Sequence, residues 1–206
     1  MPIICIAGAD AVGKTTVCAE LQYTYGAWVV PDTTAKIAGV PVIQDAVNQI
    51  SRWQQAVEAE KKNPFVVLDG DIFAPAVRAW CMNSQELQPL LEVYRDAFLQ
   101  KRSGFPDKLF RLFAKERTMK SRRKKSTHWR MNMNQAETEI NDNVRSFYDN
   151  YSAALPEKTH ALAARDETET ARAIVAALPQ APWNRYDMGE FHQLKTRLHK
   201  SSNTRT

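Results

Sequence analysis

Along the chain, short apolar runs alternate with longer stretches whose apolar residues recur every three or four positions. Ile3, Ile4, Cys5, Ile6 and Ala7 form the first run, apolar at every position as a strand buried on both faces requires. Thr16 to Tyr25 reads as a helix that stops at Gly26, and Ala27 to Val30 as a second short strand. Between Pro41 and Lys61, Ile43, Val47, Ile50, Gln54 and Val57 recur at helical spacing, with Trp53 beside that stripe. Phe65 to Asp69 is the most strand-like stretch after the first. Ile72 to Met82 reads as helical with Phe73, Val77 and Trp80 on one side, and Leu87, Leu90, Leu91, Tyr94 and Phe98 mark the next helix. Ser103 to Asp107 breaks the chain before a strand over Leu109 to Phe113. Ile140, Val144, Phe147, Tyr148 and Tyr151 give another amphipathic helix, His160 to Ala163 a last short strand, and Glu167 to Leu178 a helix stopped by Pro179.

Strands that alternate with helices predict an α/β fold of three layers, with a five-stranded parallel sheet between helices. One domain accounts for residues 1–178, and 179–206 reads as an added helical tail. Trp183, Tyr186, Met188, Phe191, Leu194 and Leu198 give that tail something to bury, on the domain or on a second copy in a homodimer. Composition changes this picture little. The 206 residues are 44% hydrophobic and carry a net charge of +5, much of it between Lys115 and Arg130 and in the last dozen residues. Cys5, Cys18 and Cys81 are scattered without metal-ligand spacing, as expected in a reducing compartment. The first strand begins almost at Met1 and no apolar run approaches membrane-spanning length, so a cytoplasmic protein without a membrane partner is expected.

The chemistry starts at Gly8-Ala9-Asp10-Ala11-Val12-Gly13-Lys14-Thr15, which matches G-x-x-x-x-G-K-[ST], the phosphate-binding P-loop pattern. It stands where it should, between a strand and a helix. Glycines let successive backbone N–H groups turn inward, and the helix start adds the positive end of its dipole. Lys14 can reach the β- and γ-phosphates, and the Thr15 hydroxyl can ligate Mg²⁺. After the third strand come Asp69, Gly70 and Asp71: one carboxylate can hold the metal's water shell while the other takes a proton from an attacking hydroxyl, in either order, or Asp71 can simply cap a helix. Asp32, after the second strand, reads as a carboxylate facing an acceptor or as part of a Pro-Asp-Thr turn. Trp53, Phe73 and Arg78 are candidates for shaping the acceptor pocket, Arg78 as a cation for an anionic acceptor; Trp53 reads as core or groove wall ahead of a dedicated base-stacking residue. Arg111 interrupts an otherwise apolar strand and needs a carboxylate, a phosphate or an exposed edge. Lys115 to Arg130 reads as a basic lid that closes over phosphates, as a solvated helix, or as a surface for nucleic acid.

On these residues the chain resembles the P-loop kinase superfamily, nearest its thymidylate kinase and deoxynucleoside kinase branch. GADAVGKTT, VVLDGD and PDKLFRLFAKER carry the likeness, which covers roughly residues 1–178. The resemblance implies an ATP phosphate cradle over Gly8 to Thr16, thus Gly8, Ala9, Asp10, Ala11, Val12, Gly13, Lys14, Thr15 and Thr16. It implies Mg²⁺ held by Thr15 and Asp69, and lid cations among Arg117, Lys120, Arg122 and Arg123 over a lid of about 115–133. Gly70 stands where those kinases usually carry an arginine, which argues against a standard thymidylate kinase. The expected activity is transfer of the γ-phosphoryl group of ATP to a nucleoside, nucleotide or related small molecule, with nucleic acid not the partner. The alternatives are a P-loop NTPase that hydrolyses ATP for switching or for work on nucleic acid, and a nucleotide-binding protein that has lost catalysis.

Overall fold

A computed structural model of the chain describes residues 1–32, 42–125, 136–181 and 183–203. In chain order the elements are β1 (Ile3–Gly8), α1 (Lys14–Tyr25), β2 (Trp28–Val30), α2 (Val42–Ala59), β3 (Val66–Asp69), α3 (Ala74–Cys81), α4 (Leu87–Leu99), β4 (Lys108–Phe113), α5 (Glu116–Lys125), α6 (Ala136–Ala154), β5 (Thr159–Ala163), α7 (Glu167–Ala176) and α8 (Met188–Asn203). The five strands are parallel throughout and lie in the order β2-β3-β1-β4-β5.

Alternation along β1 explains the layers. Ile3, Cys5 and Ala7 face a core shared with α2, α3, α4, α6 and α8, whereas Ile4 and Ile6 face α1 and α7. Val66 and Leu68 of β3 follow the first face and Val67 the second. Because β1 pairs with β3 on one side and β4 on the other, the carboxyl ends of these strands open a crevice at the P-loop, where open α/β sheets bind their ligands.

The expected elements are present with shifts of a few residues. In α2 the buried stripe is Ala46, Gln49, Ile50, Trp53 and Ala56, while Ile43 and Val47 are each 48% exposed. The inward face of α2 near the strand ends is polar, with Asp45, Gln49 and Arg52 buried, so a search for apolar letters chose the neighbouring stripe. Arg111 has its carboxylate: it pairs with Asp149 of α6 at 2.5 Å.

The tail belongs to the same body. Phe191, Leu194 and Leu198 of α8 enter the larger core, each burial worth about 1.5–3 kcal/mol, and the Trp80 indole donates to the Leu198 carbonyl at 3.1 Å. Just before α8, Arg185 donates to Asp107 through Nε and Nη2 at 2.9 and 2.6 Å, to Glu60 at 2.8 Å and to the Met1 carbonyl at 2.9 Å. Those carboxylates hold its guanidinium above an already high ordinary pKa despite the burial. Lys158 is likewise buried, donating to Glu190 at 2.5 Å and to the Asn184 carbonyl at 3.1 Å. Trp183, expected inside, is 42% exposed.

Candidate active site

The loop after β1 takes the shape its glycines permit. Gly8 has φ +141°, and a Cβ there would fall 2.4 Å from the Leu112 carbonyl oxygen of the neighbouring strand, so no side chain fits. Asp10 and Ala11 carry the loop round to Val12, which is buried, and Gly13 stands just before α1. Lys14 lies over this loop and donates to the Gly8 and Ala9 carbonyls, both at 3.1 Å, with Asp10 at 3.9 Å. Thr15 and Thr16 are exposed in the first turn of α1. The result is a helix start with a cationic side chain held beside it, a ready place for phosphate oxygens.

The carboxylates at the end of β3 diverge because Gly70, at φ +91°, turns the chain between them; strand alternation alone would put positions 69 and 71 on one face. Asp69 turns toward α1, where the Cys18 thiol hydrogen-bonds to it and is pushed up by burial and by that charge. Asp71 turns toward the opposite layer. It is buried, accepts the Phe73 N–H at 2.9 Å and the Tyr148 hydroxyl of α6 at 3.2 Å, and burial lifts its pKa to about 6. Its bond to Phe73 forms a turn ahead of α3 rather than a cap on the helix itself. Asp32 closes this side: Gln49 donates to it at 3.4 Å, and a Cβ on Gly70 would lie 3.2 Å from its Oδ2.

Arg52 organises these strand ends and was not singled out from the sequence. Buried in α2, it donates to the carbonyls of Pro31 (2.9 Å), Val30 (3.0 Å) and Asp69 (2.8 Å) and to Gln49 at 2.5 Å, with Asp32 at 3.9 Å. A planar guanidinium can tie several carbonyls in this way, which an ammonium cannot. The visible signal is Asp45, Gln49 and Arg52 at helical spacing on one face.

Other expected site residues lie elsewhere. Trp53 is wholly buried, edge-on to Tyr186, and Phe73 is in an aromatic cluster with Tyr94, Phe98, Phe105 and Tyr151. Trp53 thus takes the core place that was one of the two expected of it, and the expectation that Phe73 walls the acceptor pocket is corrected to core, because each ring finds a full apolar shell behind the strand ends. Arg78 is half-exposed and pairs with the buried Asp45. Of the basic α5, Arg122 reaches the loop, donating to the Val12 carbonyl and to the Arg165 carbonyl at 3.1 Å. Arg117 is exposed and Lys120 pairs with Glu116 at 2.6 Å. The side chain of Arg123 and lid residues 126–133 lie outside the described residues.

A cavity of about 490 Å³ opens between the loop and α6. Gly8, Ala9 and Val12 form one wall, Arg111 to Ala114 another, and Arg145 and Tyr148 of α6 face them. For a metal, Thr15 and Asp69 offer hard oxygen donors near where phosphates would rest. No cluster of three ligating side chains occurs among the described residues.

The strand order, the loop after the central strand and the helices on both faces decide the architecture. The fold is that of the P-loop kinases. A structure of deoxyadenosine kinase from M. mycoides with bound dATP superposes with a TM-score of 0.64 at 15% identity, over 84% of this chain and 97% of that one. The same enzyme with the products dCMP and a flexible dCDP gives 0.58 at 16%, over the same shares of the two chains. Thymidylate kinase from Candida albicans gives 0.53 at 12%, over 85% and 89%. No protein-family model and no curated protein matches by sequence. The P-loop kinase fold here lacks helices long and apolar enough to cross a membrane among its described residues.

Proposed function

We propose that this protein is an ATP- and Mg²⁺-dependent phosphotransferase acting on a hydroxyl or phosphate of a small molecule, of the nucleoside or nucleotide class. The observation that carries the reading is the divergence of Asp69 and Asp71 beside the phosphate loop. Asp69 faces α1, on the side of Lys14 and Thr15, and has the place of a metal-side carboxylate. Asp71 faces α6 and the cavity's far wall, and has the place of a base. A γ-phosphoryl group passing between two oxygens needs charge stabilisation on one side and a hydroxyl acceptor on the other. Bound Mg²⁺ supplies charge neutralisation at the phosphates. The chain's own residues do the rest: the loop and Lys14 bind the phosphates, Arg122 joins α5 to that loop, and Arg52 holds the strand ends that carry Asp32 and Asp69. The likeness to deoxyadenosine and thymidylate kinases supports this class of acceptor.

The test is ADP release from Mg·ATP against nucleosides, nucleoside monophosphates and other hydroxylated small molecules, with a no-acceptor control. Release that depends on one acceptor class is the expected result. Release at one rate in every well, control included, means hydrolysis without transfer and ends the kinase reading.

A further inference from the structure

Asp71 is buried and is not among the residues that line the cavity. Tyr148 lines the cavity together with Gly8, Ala9 and Val12, and its hydroxyl is the donor on Asp71 Oδ2 at 3.2 Å. The other carboxylate oxygen is taken by the Phe73 N–H. An acceptor hydroxyl entering the cavity therefore meets the tyrosine before the aspartate. From this juxtaposition we infer that Tyr148 is a catalytic residue, the group that touches the acceptor hydroxyl and relays its proton to Asp71. The inference rests on the phosphotransferase reading.

The step balances. As the acceptor oxygen bonds to the γ-phosphorus, its O–H bond breaks and the proton passes to the Tyr148 oxygen. The proton already on Tyr148 passes to Asp71 Oδ2, and the bridging oxygen of ATP leaves with ADP. Tyr148 is neutral before and after, and Asp71 ends protonated. Burial and the neighbouring Asp71 charge push the Tyr148 phenol up, so it keeps its proton until a second one arrives. The charged and titratable groups around that carboxyl are Arg52 from α2, Asp32 after β2, Cys5 of β1, Tyr94 of α4, and Tyr148 and Tyr151 of α6. Arg52 spends its donors on backbone carbonyls and Gln49, so it tempers the carboxylate without neutralising it.

The experiment compares the full-length wild-type protein with Tyr148→Phe, which keeps the ring that packs edge-on against Phe147 and removes only the hydroxyl. Acceptor-dependent ADP release is followed against pH, and the Asp71 carboxyl is titrated by carbon NMR. The relay predicts a kcat lower by about 10²-fold with KM within about twofold. It also predicts an acidic limb and a carboxyl titration that both move to higher pH, because the carboxylate has lost a donor. Wild-type kcat in the variant overturns the relay and leaves Tyr148 a packing residue. A lower kcat with an unmoved carboxyl titration overturns the coupling to Asp71. If the wild-type protein shows no acceptor dependence, the kinase reading itself falls and takes the relay with it, while an unchanged Asp71 titration separately disproves the hydroxyl–carboxylate contact.

Discussion

The two sides of the crevice are built in different ways. The proposed phosphate side is eight consecutive residues, Gly8 to Thr15, and its recognition elements are largely backbone. The proposed acceptor side is assembled from side chains that meet only in the fold: Asp32 after β2, Arg52 from α2, Asp71 after β3 and Tyr148 from α6, with the last two 77 positions apart. A backbone site tolerates change wherever glycine geometry and the single lysine are kept. A side-chain site depends on every element that delivers a group to it, so loss of a side chain that ties those elements together, as Arg52 does, should disturb stability and activity together.

The largest effect expected is on the phosphate side. Lys14→Ala should lower turnover by about 10³-fold or more, because it removes the cation at the phosphates. Among the described residues Lys14 bonds only to loop carbonyls and Asp10, so thermal unfolding should stay within a few degrees of wild type. A variant that turns over normally would mean that the loop does not bind the transferred phosphate, and the contrast between the two sides would lose its first term.

Arg52→Ala tests the acceptor side through the backbone. It strips the donor from the Val30, Pro31 and Asp69 carbonyls together and removes the cation 3.9 Å from Asp32. Breaking a buried charged network from one side costs about 3–5 kcal/mol, readable by denaturant unfolding. Arg52→Lys should recover only part of that, since one ammonium cannot reach three carbonyls in a plane. Full recovery by lysine would show that charge, not the fork geometry, holds the strand ends.

What could be read in the chain follows the same division. The P-loop was legible because its chemistry is contiguous, and Asp69 and Asp71 because they end an apolar strand. That they face opposite layers was not legible, since alternation alone would put both on one face and it is the turn at Gly70 that sends Asp71 toward α6. Arg52 escaped because periodicity looks for apolar faces, and the inward face of α2 carries Asp45, Gln49 and Arg52 where it meets the strand ends. Tyr148 was read correctly as an inward residue, but its hydroxyl partner is set by tertiary packing alone. Phe73 shows the converse error: an aromatic near a site in sequence went to the core, where its area is worth more.

Asp71→Asn should separate stability from activity. Burial raises this carboxyl from near 3.8 to about 6, so the folded protein holds a proton that the unfolded chain has released. Its contribution to stability is therefore fully present below about pH 4 and is lost as pH rises through 6. Asparagine stays neutral, keeps an oxygen for the Phe73 N–H and can meet the Tyr148 hydroxyl. The variant should be more stable than wild type at pH 7, by up to about 3 kcal/mol, and equal to it near pH 4, while turnover falls by about 10²-fold or more. Equal stability at both pH values would mean that the carboxylate is solvated in the native protein.

Gly70→Ala should have the smallest effect, and it bears on how closely the acceptor carboxylates are set. Gly70 occupies φ +91°, where an L side chain is strained by about 1–2 kcal/mol, and its new Cβ would lie 3.2 Å from Asp32 Oδ2. The turn it makes separates Asp69, which looks toward α1, from Asp71, which looks toward α6. Pushing Asp32 aside by a few tenths of an ångström leaves the phosphate loop untouched. The expected result is a modest loss of stability with a fall in kcat/KM for the acceptor and an unchanged affinity for ATP. If ATP affinity fell in step with acceptor turnover, the two sides would be one mechanical unit, and Gly70 would be the joint between them rather than a spacer on one side.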